Sequence, residues 1–217
     1  MWEDFSGTVG FWADMEDPYV TYHDDFIESE WWALKTIWEK GLLYKGFKIV
    51  PYCPRCGTPL SSHEVAQGYK DVKETSAIAK FKVADQENTY FLAWTTAPWT
   101  LPSNVILSVN AKETYAKAKY ADYYVIMAEA LMESVLGEGN YEVVERMKGG
   151  DLEYVKYEPL FDFQPNGEDF KGYFMTCDDY VTLTDGTGIV HTAYAYGEDD
   201  YRVCKKYGVT FYQNVGV

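Results

Sequence analysis

Apolar residues recur at helical spacing near the start of the chain. In "DDFIESEWWALKTIWEKG", Asp24 to Gly41, the positions Ile27, Trp31, Leu34 and Trp38 fall three or four apart. Asp24 and Asp25 can cap the first turn and Gly41 can end the last. The pattern predicts one helix whose aromatic stripe packs in a core. Residues 1–23 have no clean period, because Gly10, Pro18 and Tyr22 interrupt it, so loops and short turns are expected there. The stretch "FKIVPYCPRCGTPLSSHEVAQGYKDV" (47–72) is expected to be a turn-rich connector.

From about Thr75 the period changes to two. "SAIAKFKV", "TYFLAW", "NVILSV", "TYAKAKY", "DYYVIM", "YEVVERM" and "YVTLTDGTGIVHTA" are β-branched and aromatic runs punctuated by Gly, Asn or Asp. Two short helices interrupt them. Residues 128–139 end at glycine, and residues 197–208 carry acids at the N-terminal end and lysines near the other, as the helix dipole favours. Many short strands with few helices predict a mixed α+β chain, mainly β. Its core would be a closed or nearly closed β-barrel with short flanking helices, preceded by a helical lead-in segment. The expected division is a helical lead-in (1–50), a cysteine-bearing connector (51–72) and a barrel domain (73–217).

Composition narrows the function classes. At 47% hydrophobic and 18% aromatic, 217 residues can bury a real core and are too apolar for a disordered chain. No apolar run approaches the roughly 18 residues of a membrane helix, and "MWEDFSGTVG" has no apolar signal core. No membrane partner and a cytoplasmic setting are therefore expected. A net charge of −15 argues against a direct grip on nucleic-acid phosphates. Such a partner would be held elsewhere or touched lightly.

Three stretches could carry chemistry. "CPRCG" places Cys53 and Cys56 in a knuckle whose N–H groups can face metal-bound sulfur. Zinc takes four ligands and no second CxxC is present, so zinc half-site, redox pair and inert thiols all stand as readings. "GTGIVHTAYAYGEDDY" presents His191 on a strand, followed by a glycine turn and a helix opening with Glu198, Asp199 and Asp200. A lone strand histidine is usually structural and acids at a helix start usually cap it. Side by side, they place a carboxylate where it could receive a cationic group such as a free amine. "LAWTTAPWTLPSN" offers the hydroxyls of Thr95, Thr96 and Thr100 and the amide of Asn104. None is a strong base, and neither a Gly-x-Ser-x-Gly elbow nor a P-loop is present. A polar pocket that orients a substrate and a water is what remains.

Together, the three stretches resemble the isoleucyl-tRNA synthetase family, at its inserted connective-peptide editing domain and the segments leading into it. "LSSHEVAQGYK" favours that family over its valyl and leucyl relatives, whose editing domains are the alternatives. An inactive zinc-binding module of the same fold is a third reading. The resemblance implies hydrolysis of mischarged valyl-tRNA(Ile) at its 3′ end. By motif position, Asp200 would hold the α-ammonium, with Thr95 and Thr96 beside it in a catalytic role. Thr100 and Asn104 would line the pocket, His191 would exclude isoleucine by shape, and Trp94 would touch the terminal adenosine. Cys53 and Cys56 would be half of a zinc site completed by a CxxC beyond Val217. The synthetic signatures HIGH and KMSKS are not in the sequence, so a fragment is implied. ATP and magnesium would serve only the parent enzyme, no organic cofactor is expected, and the rest of the synthetase would be a partner. Two positions depart from the family pattern: Ala97, where a third threonine is usual, and Tyr194, where proline is common.

Overall fold

The computed structural model describes residues 1–165 and 167–214. The chain forms two compact units, Met1–Lys48 and Ile49–Val217. The first contains α1 (Trp2–Thr8) and α2 (Asp24–Glu39). The expectation of loops throughout residues 1–23 is therefore corrected by α1, whose Glu3 and Asp4 suit a helix N-terminus. Helix α2 begins on Asp24 and Asp25 as expected, and Gly41 ends it at φ +68 with its N–H on the Trp38 carbonyl. Its aromatic stripe is not core. Trp31 and Trp38 are 68% and 71% exposed, because neither helix of this unit buries a residue against the other.

The second unit opens with a small hairpin, β1 (Tyr52–Cys53) and β2 (Thr58–Pro59), that carries the cysteine knuckle. Helix α3 (Ser62–Gln67) follows. Ser61 and Glu64 form a capping box, with the Glu64 carboxylate accepting the Ser61 N–H at 2.8 Å. The signal Ser-x-x-Glu lies inside what was expected to be turns.

The barrel unit continues with β3 (Ala77–Lys82), β4 (Thr89–Thr95), β5 (Ile106–Val109), β6 (Thr114–Tyr120) and β7 (Tyr123–Ala128). Helix α4 (Met132–Leu136), β8 (Tyr141–Lys148), β9 (Met175–Cys177), β10 (Val190–Thr192) and α5 (Glu198–Tyr207) complete it. Strand β4 is where the sheet divides. Antiparallel β3 covers one whole edge, from Ala77 opposite Thr95 to Lys82 opposite Tyr90. Two parallel neighbours share the other edge: β7 takes Thr89–Phe91 and β10 takes Trp94. Strands β7, β6 and β8 run outward as an antiparallel wing.

The other branch closes. Strand β10 pairs β5, and β5 pairs β9. Phe174 then bridges Lys156, and Tyr157 bridges Val83 just past β3. Closure leaves this ring of strands without an open edge. The pleat turns Phe81, Phe91, Ala93, Leu107, Tyr157 and Met175 into one apolar cluster. A second cluster, with Val203, Cys204 and Tyr207, holds α5 against the barrel. A third packs α4 against the wing.

Two expectations differ from this. Strand β9 falls in a stretch not expected to be a strand. The run 180–193 forms strand only over Val190–Thr192, because Gly186 and Gly188 sit at positive φ and turn the chain just before it. At Gly186 a Cβ would also collide with the Trp94 ring.

Phe81 is fully buried at the centre of the barrel cluster. Phe81→Ala should lower unfolding stability by about 3–5 kcal/mol in urea titrations. A loss below about 1 kcal/mol would contradict a closed, packed barrel.

Candidate functional site

The end of β4 runs into a 3-10 turn over Pro98–Ser103, with Pro98 at its start and Asn104 just past its end. Prolines here set the turn without losing ladder hydrogen bonds. The flanking threonines clamp one residue. Thr95 Oγ1 accepts the Ala97 N–H at 3.0 Å, and the Thr100 hydroxyl donates to the Ala97 carbonyl at 2.8 Å. Thr96, between them, is exposed.

Strand β10 brings His191 to this turn. His191 Nε2 lies 2.7 Å from Thr100 Oγ1, and its Nδ1 lies 3.3 Å from Asn104 Nδ2. Asn104 is fully buried; its amide donates to the Ile106 carbonyl at 2.9 Å and accepts from the Tyr157 hydroxyl at 2.7 Å. Gln164 Nε2 donates to the carbonyls of Pro102 and Asn104, both at 3.1 Å, and ties the turn down. Burial lowers the His191 pKa to about 4, so the ring is neutral at physiological pH.

Asp200 enters from α5, whose first turn is Glu198, Asp199 and Asp200. One carboxylate oxygen accepts the Ala193 N–H at 2.6 Å, two residues past His191. The other lies against Gly197, where any Cβ would strike it. Burial pushes the Asp200 pKa up to about 6, against the pull of the Ala193 and Asp200 N–H groups; the nearby Asp199 charge adds to the rise. Arg202, one turn away at most, is bound bidentately by Asp178 at 2.8 and 2.9 Å and by Asp199 at 3.0 Å. Among the described residues no cation pairs with Asp200.

The pleat separates Trp94 from the group around His191. Trp94 pairs Val190, and the residue after each, Thr95 and His191, turns to the opposite face. Trp94 lines a cavity of about 170 Å³ with Tyr180, Asp185, Thr187 and Val190. Thr100, Asn104 and His191 thus form one hydrogen-bonded group with Thr95 beside it, Trp94 opens on the other face, and Asp200 is tied to the end of β10. Cys53 and Cys56 stand apart in the knuckle, where Cys53 Sγ accepts the Cys56 N–H at 3.4 Å. Among the described residues no three His, Cys, Asp or Glu side chains converge on a metal position. Sequence patterns offered no signal for Tyr157, Gln164 or Tyr180, which are partners by tertiary placement alone.

The family model for class I tRNA synthetases, of the I, L, M and V group, matches residues 1–198. The chain belongs to the class I tRNA synthetases. It is 59% identical over 210 residues to the isoleucine–tRNA ligase of Clostridium tetani, covering 96% of this chain and 20% of the relative. Against isoleucine–tRNA ligase 2 of Bacillus anthracis it is 53% identical, covering 97% of this chain and 20% of the relative. This synthetase segment therefore spans about a fifth of the length of the curated relatives it matches.

Solved structures add the fold. GlLeuRS-CP1 superposes on 63% of this chain and 65% of its own, with a TM-score of 0.51 at 18% identity. The P. knowlesi cytosolic leucyl-tRNA synthetase editing domain aligns over 66% and 70%, with a TM-score of 0.49 at 15% identity. The expected mixed α+β, mainly β architecture of this synthetase segment agrees with the first of these.

Asp200→Asn keeps an acceptor for the Ala193 N–H and removes the charge. An unfolded aspartate ionises above about pH 4, whereas the folded group holds its proton to about 6. The ionised folded form is therefore destabilised at high pH. The variant should be about 3 kcal/mol more stable at pH 8 and converge on the parent below pH 4. His191 runs the other way, costing stability as pH falls from about 6.5 toward 4, but that contribution is common to both proteins. Thermal melts across pH check this; equal stability at pH 8 would mean the carboxylate is solvated.

Proposed function

We propose that this synthetase segment is the editing part of an isoleucyl-tRNA synthetase and hydrolyses the ester of valine misattached to tRNA(Ile). The observation that carries the reading is the Asp200 carboxylate, drawn out of water with no cationic partner among the described residues. A group in that state favours a ligand that brings the positive charge. The free α-ammonium of an aminoacyl ester is such a charge, while the incorporated residues of a peptide have none.

The remaining roles follow from position. Thr95 and Thr96 supply hydroxyls at the end of β4 and place a water against the ester carbonyl. Thr100 and Asn104 hold the turn, and neutral His191 presents a ring that limits the size of the bound side chain. Water adds to the carbonyl, the ribose oxygen leaves with a proton, and free valine and deacylated tRNA result. No residue needs to form a covalent intermediate: an activated ester, an anchored amine and a placed water suffice.

The partner of the site is the tRNA 3′ end carrying valine, with Trp94 beside the terminal adenosine. A net charge of −15 puts most of the grip on tRNA in the rest of the synthetase. ATP and magnesium belong to the ligation reaction of that larger enzyme, and the setting is cytoplasmic. Cys53 and Cys56 fit half of a zinc site. Gly57, at φ +70, turns the knuckle and donates its N–H to the Cys53 carbonyl at 2.8 Å, while the Cys56 N–H favours a Cys53 thiolate. The other two ligands would come from beyond this segment, and a bound metal would fix the hairpin.

Deacylation of valyl- and isoleucyl-tRNA(Ile) by the intact enzyme carrying this segment tests the reading. Asp200→Ala should slow valyl-tRNA hydrolysis by about 100-fold, the worth of one charge-assisted anchor of about 3 kcal/mol. Isoleucyl-tRNA should remain a poor substrate of both. Unchanged valyl-tRNA hydrolysis in the variant would overturn the assignment.

A further inference from the structure

We infer that Tyr157 is a positioning residue whose buried hydroxyl biases, through Asn104, which nitrogen of His191 carries the proton. The inference rests on the site reading above only for its link to hydrolysis; the tautomer itself follows from the hydrogen bonds.

The Tyr157 hydroxyl donates to Asn104 Oδ1 at 2.7 Å. That contact fixes the amide so that Oδ1 faces the tyrosine and the NH₂ group faces the other way. The Ile106 carbonyl takes one amide hydrogen at 2.9 Å. The second lies between His191 Nδ1 at 3.3 Å and the Thr192 carbonyl at 3.5 Å, with Nδ1 the nearer acceptor. An NH₂ hydrogen directed at Nδ1 needs a lone pair there, so the ring proton sits on Nε2. Nε2–H then donates to Thr100 Oγ1 at 2.7 Å, and the Thr100 hydroxyl is left to donate to the Ala97 carbonyl at 2.8 Å. Every donor in the chain Tyr157, Asn104, His191, Thr100 points the same way and ends on the peptide that Thr95 also holds.

Without the tyrosine hydroxyl, Asn104 Oδ1 loses its donor and the amide gains reason to turn over. Oδ1 would then face Nδ1, which would take the proton. Nε2 would become an acceptor and draw the Thr100 hydroxyl off Ala97. The Ile106 and Thr192 carbonyls still favour the original orientation, so a mixture is expected rather than a reversal.

A control lies next door. The Tyr173 ring stands 5.9 Å from that of Tyr157, and its buried hydroxyl has no hydrogen-bond partner among the described residues. Tyr173→Phe makes the same chemical change without touching the relay.

The test is ¹⁵N NMR of the His191 ring at neutral pH in this chain, in Tyr157→Phe and in Tyr173→Phe, together with valyl-tRNA deacylation by the intact enzyme bearing each substitution. The parent and Tyr173→Phe should show a single tautomer with the proton on Nε2. Tyr157→Phe should show about a fivefold larger Nδ1–H share, the effect of one neutral hydrogen bond. Its kcat should fall in proportion to the Nε2–H share that is lost, with KM nearly unchanged. An Nδ1–H ring in the parent, or identical ring shifts in Tyr157→Phe and the parent, would overturn the inference. A mixed tautomer with unaltered kcat would overturn the link to hydrolysis while the relay stands, so the two failures are told apart. Loss of valyl-tRNA hydrolysis specificity in the parent itself would instead strike the functional reading.

Discussion

A half-buried carboxylate with no counter-charge among the described residues is the constraint around which the segment is arranged. Asp200 meets it through fixed dipoles: the Ala193 N–H and the first turn of α5. Arg202, two positions on along α5, is engaged by Asp178 and Asp199 instead. Gly197 leaves room for the second carboxylate oxygen, so the chain approaches the group where any side chain would displace it. Helix α5 is held by Val203, Cys204 and Tyr207 in an apolar cluster, and the Tyr207 hydroxyl reaches Glu153 at 2.5 Å. Apolar anchoring of this kind lets the first turn keep an unfavourable charge, because the helix does not depend on that charge for its place.

Strand β4 carries the second condition. Since β7 and β10 divide one of its edges, the wing and the barrel both begin from it. Its pleat then serves two faces at once. Trp94 lies in a cavity beside Tyr180, while Thr95 turns toward the face of His191. A one-residue slip of β10 would exchange these faces, and the Ile189 carbonyl on the Trp94 N–H resists it at 3.2 Å. Polar groups on the His191 side are satisfied by one another, so that face is held together by neutral hydrogen bonds.

Legibility in the sequence followed range. Period-two runs found β3 to β8 because alternation is a local property, and Asp24, Asp25 and Gly41 found α2 for the same reason. The aromatic stripe of α2 misled, since periodicity shows that one face is apolar and says nothing of what covers it. Strand β9 was hidden because Met175–Cys177 is too short to alternate, and the capping box at Ser61 was hidden among turn residues. Of the site, the residues inside the three motifs were visible as chemistry. Their partners were not: Tyr157 lies 53 positions from Asn104, and no local pattern connects them. Asp200 could be singled out among three acids only by resemblance, and the structure distinguishes it physically, because Asp199 has an arginine and Asp200 does not.

Ala97 and Tyr194 raised the question of whether the pocket keeps its shape. Tyr194 is absorbed by packing: its ring meets Tyr201 at 5.5 Å and Phe211 at 5.1 Å in the cluster under α5. Ala97 is held by its backbone, with its N–H on Thr95 and its carbonyl on Thr100. The path of the turn therefore does not depend on the side chain at 97. This matters because a single methylene separates valine from isoleucine, the usual illustration of the limit, and is worth only about 1–3 kcal/mol to a binding pocket. A site that rejects the larger side chain by exclusion needs its walls fixed to a fraction of that methylene's width. A peptide clamped from both sides would meet that requirement better than a side chain free to rotate, so under the proposed function alanine at 97 is compatible with a size limit.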